Sequence, residues 1–522
     1  MRRSVSMVGL ASLALLGAAP AARPADLIVR GGTVFPGGGD PFVGDVAIAG
    51  DRIVYAGPHA AMPARRTIEA RGMVVAPGFI DPHTHVGDDL SSPDAARRLI
   101  PAFLLQGVTT AFIGNDGGGE PDVAAVLGRA TARPVGINYA AYVGFGAVRQ
   151  AVVGAARRAP TADELARMRA LVAGAMCDGA MGLSTGLFYA PQSFARTDEV
   201  AALAREAGAR GGTYDSHIRD ESSYTVGLKA AVAEVIAIGR QAQMPVHISH
   251  IKALGIDVQG QAPAIIAMVE AALAHGQTVT ADQYPYDASG TSLVAALVPL
   301  WAQDGGRAAL LKRFDDATLA TRLAADMREN LRKRGGPAAL LITEGAEKGR
   351  TLAAVARRMG VDPIAAAIAT IRVHDPAVAS FNQSQRDIEA FMRAPWVMTG
   401  SDASTGHPRV YGSFARKYAE YVVRRRIISL RDFVDRSSAL TADTFGLAGR
   451  GHLRAGAFAD VVVFDPKTYA PRATYEQPTL TAVGVRLVTV NGRIAVEDGR
   501  VAGVAAGRAL PHRPTRGSCP SR

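Results

Sequence analysis

The chain is 522 residues long, 48% hydrophobic, with a formal charge of +11 and two cysteines. That length allows a large core plus a second, smaller module. Six arginines (Arg2, Arg3, Arg508, Arg513, Arg516 and Arg522) fall at the two ends; without them the body carries +5, which does not argue for nucleic acid.

In chain order, residues 1–22 come first: Arg2-Arg3, a short apolar stretch over 8–17, then an alanine-rich zone. This reads as a secretory signal peptide and is too short to span a membrane. No later stretch is long and apolar enough to cross a bilayer, so the mature protein is expected to be periplasmic or secreted, with no membrane partner. Residues 26–78 read as short strands separated by turns, and the same character returns over 448–510, where Asn491-Gly492 is a hairpin signal. These two ends are expected to build one small β-sandwich domain. Between them, residues 79–447 alternate strand candidates (109–113, 134–137, 182–184, 212–215, 246–249, 278–282, 397–399) with helical patterns such as 161–177, 223–243 and 261–275. An α/β alternation of this length predicts a (β/α)8 TIM-like barrel. Residues 511–522 form a basic tail. Cys177 falls in a helix and Cys519 in that tail, so no structural disulfide is expected. A homo-oligomer is left open.

The apolar run from Met73 to Asp81 leads into His83-Thr84-His85. Two histidines at i and i+2 at a strand end point the same way, so both imidazoles can reach one ion. Asp116, His217, His250, Tyr284 and Asp402 also fall at or just past the C-terminal end of a strand candidate. In a barrel those ends converge on the face where active sites lie. His247 lies off the His250 face and is expected to be structural.

Several segments together resemble the amidohydrolase superfamily and, within it, the N-acyl-D-amino-acid deacylases. They are Pro77-Gly78-Phe79-Ile80-Asp81-Pro82-His83-Thr84-His85, His217-Ile218-Arg219-Asp220-Glu221, Ser249-His250-Ile251-Lys252, Tyr284-Pro285-Tyr286, Gly400-Ser401-Asp402, His407-Pro408-Arg409 and Gly456-Ala457-Phe458-Ala459-Asp460. The resemblance implies one or two Zn2+ ions, with His83 and His85 as one ligand pair and His217 and His250 as the tighter pair. It implies Asp402 as the residue that accepts and returns a proton. The family's third tight ligand is a cysteine; the matching position here is Asp116, a harder donor. Arg409 matches the family's grip on a substrate carboxylate, and Lys252, Tyr284 and Ser289 match further substrate contacts, with Gly290 where the family has a contacting serine. The implied activity is metal-dependent hydrolysis of the linear amide of an N-acyl-D-amino acid, a small molecule with a free carboxylate. Two alternatives stand beside it. A cyclic amidase of hydantoinase or dihydroorotase type would carry a bridging lysine ahead of His217, whereas the first lysine of the chain is Lys229. A non-catalytic periplasmic binding protein would use the same scaffold.

Overall fold

The computed structural model describes residues 24–515, 517 and 519, so the expected signal peptide lies outside the described residues. Among these residues, eight parallel strands close a barrel. They are β1 (Phe79–Asp81), β2 (Val108–Ile113), β3 (Asn138–Ala141, resumed after Tyr142 as Val143–Gly144), β4 (Gly182–Gly186), β5 (Thr213–His217), β6 (Val246–Ile248), β7 (Val279–Gln283) and β8 (Val397–Thr399). Their residues are buried on both faces, as a parallel strand covered by helices requires. β8 meets β1 through a bridge between Thr84 and Ala403, with Asp402 N donating to His83 O at 3.0 Å. Outer helices follow the 3.6-residue rule. Leu228–Ala242, for example, buries Leu228, Val232, Val235, Ile236 and Ile238 against the barrel.

Both chain ends enter one nine-stranded sheet, joined where Val74–Pro77 runs antiparallel to Val461–Phe464. Its outer strand Arg52–Gly57 returns to the C-terminal half through Ile53 N donating to Ala457 O at 2.8 Å. The sheet thereby rolls around Val29, Val46, Ile48, Ile53, Val461, Val463 and Leu487. The apolar run that ends at Asp81 is shared between the modules: Val74–Pro77 belongs to this sheet and β1 to the barrel. At the crossing, a Cβ on Gly78 would sit 2.3 Å from the Thr109 hydroxyl, so only glycine fits.

Three expectations are revised. Strand–helix alternation is interrupted between β7 and β8, where Ala288–Ser292, Leu340–Ile342 and Ala377–Phe381 form a separate antiparallel sheet. Helices including Ala317–Lys333, Leu352–Met359 and Pro363–Val373 cover it, around a core of Leu297, Leu323, Met327, Ile342, Val355 and Ile371. Second, the strand expected over 134–137 lies at 138–141 instead, because Gly136 is wedged against Leu99, where a Cβ would come within 2.2 Å of backbone. Third, Cys177 and Cys519 are joined in a disulfide, against expectation. The C-terminal segment is not free: Gly507 N donates to Val135 O, Leu510 N to Tyr139 O and His512 N to Gly179 O. These bonds lay the C-terminal segment across the N-terminal ends of β3 and β4, and the disulfide ties Cys519 to the end of helix Ala162–Cys177. Among the described residues no helix is long and apolar enough to cross a membrane.

Candidate metal centre

Each barrel strand delivers its polar residue as the chain leaves the sheet. His217 ends β5; His83 follows β1 by two residues, His250 follows β6 by two, and Asp116 and Asp402 follow β2 and β8 by three. All converge. His83 Nε2 lies 3.3 Å from Asp116 Oδ1, and His85 Nε2 lies 3.4 Å from Asp116 Oδ2 and 3.3 Å from Asp402 Oδ1. On the opposite side His250 Nε2 lies 3.6 Å from Asp116 Oδ1, His217 Nδ1 lies 3.8 Å from Asp116 Oδ2, and the two rings approach to 2.9 Å. Asp116 therefore belongs to two donor groups, one with His83, His85 and Asp402, the other with His217 and His250. Within each group the donor atoms lie within 4.8 Å of one another.

The donor set fits a metal ion. His83 Nε2 and Asp116 Oδ1 are buried with no hydrogen-bond partner in the protein, which is costly unless a ligand engages them. Burial alone would raise the Asp116 carboxyl, but His83, His217 and His250 hold it well below the usual range. Burial opposes ionisation of Asp402 as well, and there the Arg409 guanidinium, with His250, His85 and His83, prevails. Both carboxylates are anionic at neutral pH, as ligation requires. A carboxylate between two imidazole pairs can be shared by two ions, a role for which a hard oxygen donor is suited.

Beneath these groups lies a layer of buried acids that the sequence reading did not single out. Asp282 Oδ1 accepts from His250 N at 2.9 Å and faces His247 Nε2 at 3.1 Å, which gives His247 the structural role expected of it. Asp81 Oδ1 accepts from Ser401 N at 3.0 Å, and burial pushes this carboxyl up to about 7. Asp215 accepts from Asn115 Nδ2 and Ser249 Oγ. Glu221 lies 3.1 Å from His250 Nδ1 and accepts from Lys252 Nζ at 2.5 Å, so it orients a donor histidine in the way outer partners of metal ligands do. The available signal was acids set inside apolar runs and, for Glu221, its place four residues after His217.

The expected substrate-contacting residues surround the centre. Lys252, Tyr284 and Ser289 line a small closed cavity with His217, His250 and Asp402. Arg409 lines a larger cavity of about 400 Å³ with His85, Asp116 and Asp402, roofed by Thr343 and Val378 of the inserted sheet region. Arg409 is buried, with Nη1 2.7 Å from Asp402 Oδ2 and Nη2 donating to Ser404 Oγ at 2.5 Å. Nη1 is off hydrogen-bond alignment, so it and Nε both keep unused donors. A Cβ on Gly290 would lie 2.9 Å from Arg409 Nη2, so glycine here makes room for the guanidinium.

The pattern of the amidohydrolase family matches residues 66–496. The chain is 34% identical over 518 residues to a D-aminoacylase of Alcaligenes xylosoxydans xylosoxydans, covering 94% of this chain and 98% of that one. A solved D-aminoacylase structure, in work on the functional role of its binuclear metal centre, superposes with a TM-score of 0.80 at 32% identity, covering 94% of this chain and all of that one. An N-acyl-D-glutamate deacylase from Bordetella bronchiseptica, complexed with zinc and a phosphonate inhibitor, superposes with a TM-score of 0.79 at 32% identity and the same coverage.

Proposed function

The chain belongs to the amidohydrolase family, and from that premise we propose that it is a zinc-dependent deacylase of N-acyl-D-amino acids. It hydrolyses the amide of a small molecule with a free carboxylate, releasing a carboxylic acid and an amino acid. The observation that carries this reading is the position of Asp402, with one oxygen 3.3 Å from His85 and the other 2.7 Å from Arg409. One carboxylate thus joins the donor set to a buried cation suited to a substrate acid.

His83, His85, Asp116, His217 and His250 hold the metal, which when bound supplies Lewis acidity and lowers the pKa of water from ~15.7 to about 7. Asp402 accepts the proton of the attacking water at its Oδ1 and hands it to the leaving amine nitrogen. Tyr284 Oη already accepts from Gln383 Nε2 at 3.1 Å, which leaves its own O–H to donate to the developing oxyanion. Arg409 offers its charge and its unused donors at Nε and Nη1 to the α-carboxylate. Glu221 keeps Lys252 and His250 in register.

The same reading places the protein in the periplasm or outside the cell, with residues 1–22 removed. The Cys177–Cys519 disulfide supports this, since such bonds persist in oxidising compartments. N-terminal sequencing of the mature protein checks it; an intact Met1 on exported material would contradict it. For the activity, purified protein is analysed for zinc and offered matched N-acetyl-D- and N-acetyl-L-amino acids, with release of free amino acid as the readout. Zinc and turnover of the D series are expected. A zinc-loaded protein that cleaves neither series refutes the reading.

A further inference from the structure

Another cavity reaches the metal centre at His85, and Arg409 does not line it. Its volume is about 520 Å³. Its walls come from three short helices after β1 (Gly87–Ser91, Ala95–Arg98 and Pro101–Leu104), from the segment leading out of β8 into helix Arg409–Arg416, and from Pro478-Thr479 of the sheet module. His85, Ser404, Thr405 and His407 line both this cavity and the one that holds Arg409, so the two meet beside the metal donors. His85 keeps 35% of its side chain exposed there.

The lining selects what can enter. Val86, Ile100, Ala102, Val410, Tyr411 and Pro478 make most of the wall apolar. Apart from the histidines, its charge is confined to Asp89, Asp94 and Arg97. Arg97 Nε donates to Asp89 Oδ1 at 2.8 Å, which leaves Asp94 as the excess charge, so the wall disfavours an acid and suits an uncharged, apolar group. The backbone supplies a second observation. Ile100 takes φ 50°, a left-handed conformation that is costly for a β-branched side chain. That turn carries the chain from Ala95–Arg98 into Pro101–Leu104, so that both helices line the same cavity. Strain of this kind persists where a ligand site is shaped by it.

We propose that this cavity is the acyl-chain subsite, and that the preferred substrate carries a long, unbranched apolar acyl group. The inference rests on the deacylase reading and narrows it. A planar carbonyl carbon has three substituents in three directions. With its oxygen at the metal, and its nitrogen directed to Asp402 with the α-carboxylate on Arg409, the acyl carbon is the one left to leave past His85. Filling half of the cavity at roughly 30 Å³ per methylene, the room of one water, takes about eight carbons.

Three substrates test this on the zinc-loaded full chain: N-acetyl-D-alanine, N-octanoyl-D-alanine and N-acetyl-D-leucine. A methylene half-removed from water is worth about 2-fold, so octanoyl should exceed acetyl in kcat/KM by about 30-fold or more. The gain should sit in KM, because the chain is held alike in ground and transition states. Ala96→Trp and Thr479→Trp narrow the cavity from opposite walls at exposed positions, so neither substitution enters the core. Each should cut the octanoyl rate by about 10-fold or more and leave N-acetyl-D-alanine within about 3-fold, the scale of an ordinary surface change. Octanoyl no better than acetyl, or a gain that survives both tryptophans, overturns the subsite while the deacylase reading stands. A loss on N-acetyl-D-leucine as large as that on the octanoyl substrate also overturns it, because the cavity then takes the amino-acid side chain. No turnover of any of the three would refute both.

Discussion

Arg409 faces two tasks, and replacing it separates them. In Arg409→Ala, Asp402 loses the guanidinium nitrogen now 2.7 Å away, and it loses it from a site where the arginine is 1% exposed. Removing one partner of a buried charge pair costs on the order of 2–5 kcal/mol. Part of that cost falls on Asp402 whatever the substrate, so the carboxamide of an N-acetyl-D-amino acid should lose at least ~10-fold in kcat/KM. A free-acid substrate also loses the grip of the unused Nε and Nη1 donors. Hydrogen bonds to charged groups are worth ~1.5–3 kcal/mol, so the acid should fall by a further ~10- to 150-fold. The assay compares acid and carboxamide on wild type and variant at saturating zinc. Equal losses on the two would mean that Arg409 serves Asp402 alone and that the α-carboxylate is bound elsewhere. Arg409→Lys, which keeps the charge but not the separate Nε and Nη1 donors, should recover the carboxamide better than the acid.

Asp402→Asn should keep its zinc yet lose ~10²–10⁴ in turnover, the span of acid–base catalysis; near-normal turnover would reassign the proton transfer. His250→Ala should lose zinc by elemental analysis, and an unchanged metal content in the folded variant would strike it from the ligands. Lys417, fully buried behind β8 with Met398 O at 3.5 Å, is pushed down to about 7 by burial and by the charge of Arg436. Between about pH 7 and the usual lysine value the unfolded chain binds a proton that the folded one does not, so this group makes stability climb with pH. The full effect is roughly 5 kcal/mol, and below pH 7 it is a constant penalty. Lys417→Met should therefore raise the urea midpoint at pH 7 and flatten its climb toward pH 9.5; parallel profiles for the two proteins would show that the ammonium is not strained.

The barrel and its donor residues were readable in the sequence because both depend on local periodicity. Apolar runs mark strands, a polar residue just past each run marks the mouth, and closure of the sheet brings the mouths together. His83, Asp116, His217, His250 and Asp402 meet for that reason. The inserted subdomain was not readable because its helices share the 3.6-residue pattern of barrel helices, and only the antiparallel pairing of Ala288–Ser292 with Ala377–Phe381 sets it apart. The disulfide joins residues 342 positions apart, a distance over which no local pattern acts.

Three of the donor residues sit in the left-handed backbone region: Asp116 at φ 55°, His250 at φ 35° and Asp402 at φ 47°. Aspartate and histidine are among the few non-glycine residues that tolerate it, and they are also the residue types that ligate metals, so conformation and chemistry select the same side chains. Each such turn still costs of order 1–3 kcal/mol, and it persists only where its surroundings over-determine it. Here the restraint on each comes from outside its own strand. Asp402 N donates to His83 O, His250 N donates to Asp282 Oδ1 within β7, and Gln192 Nε2 donates to Asp116 O from the loop after β4. Because the bond that holds Asp402 in its turn is also one of those that close β8 onto β1, the barrel seam and the proposed catalytic carboxylate share a contact.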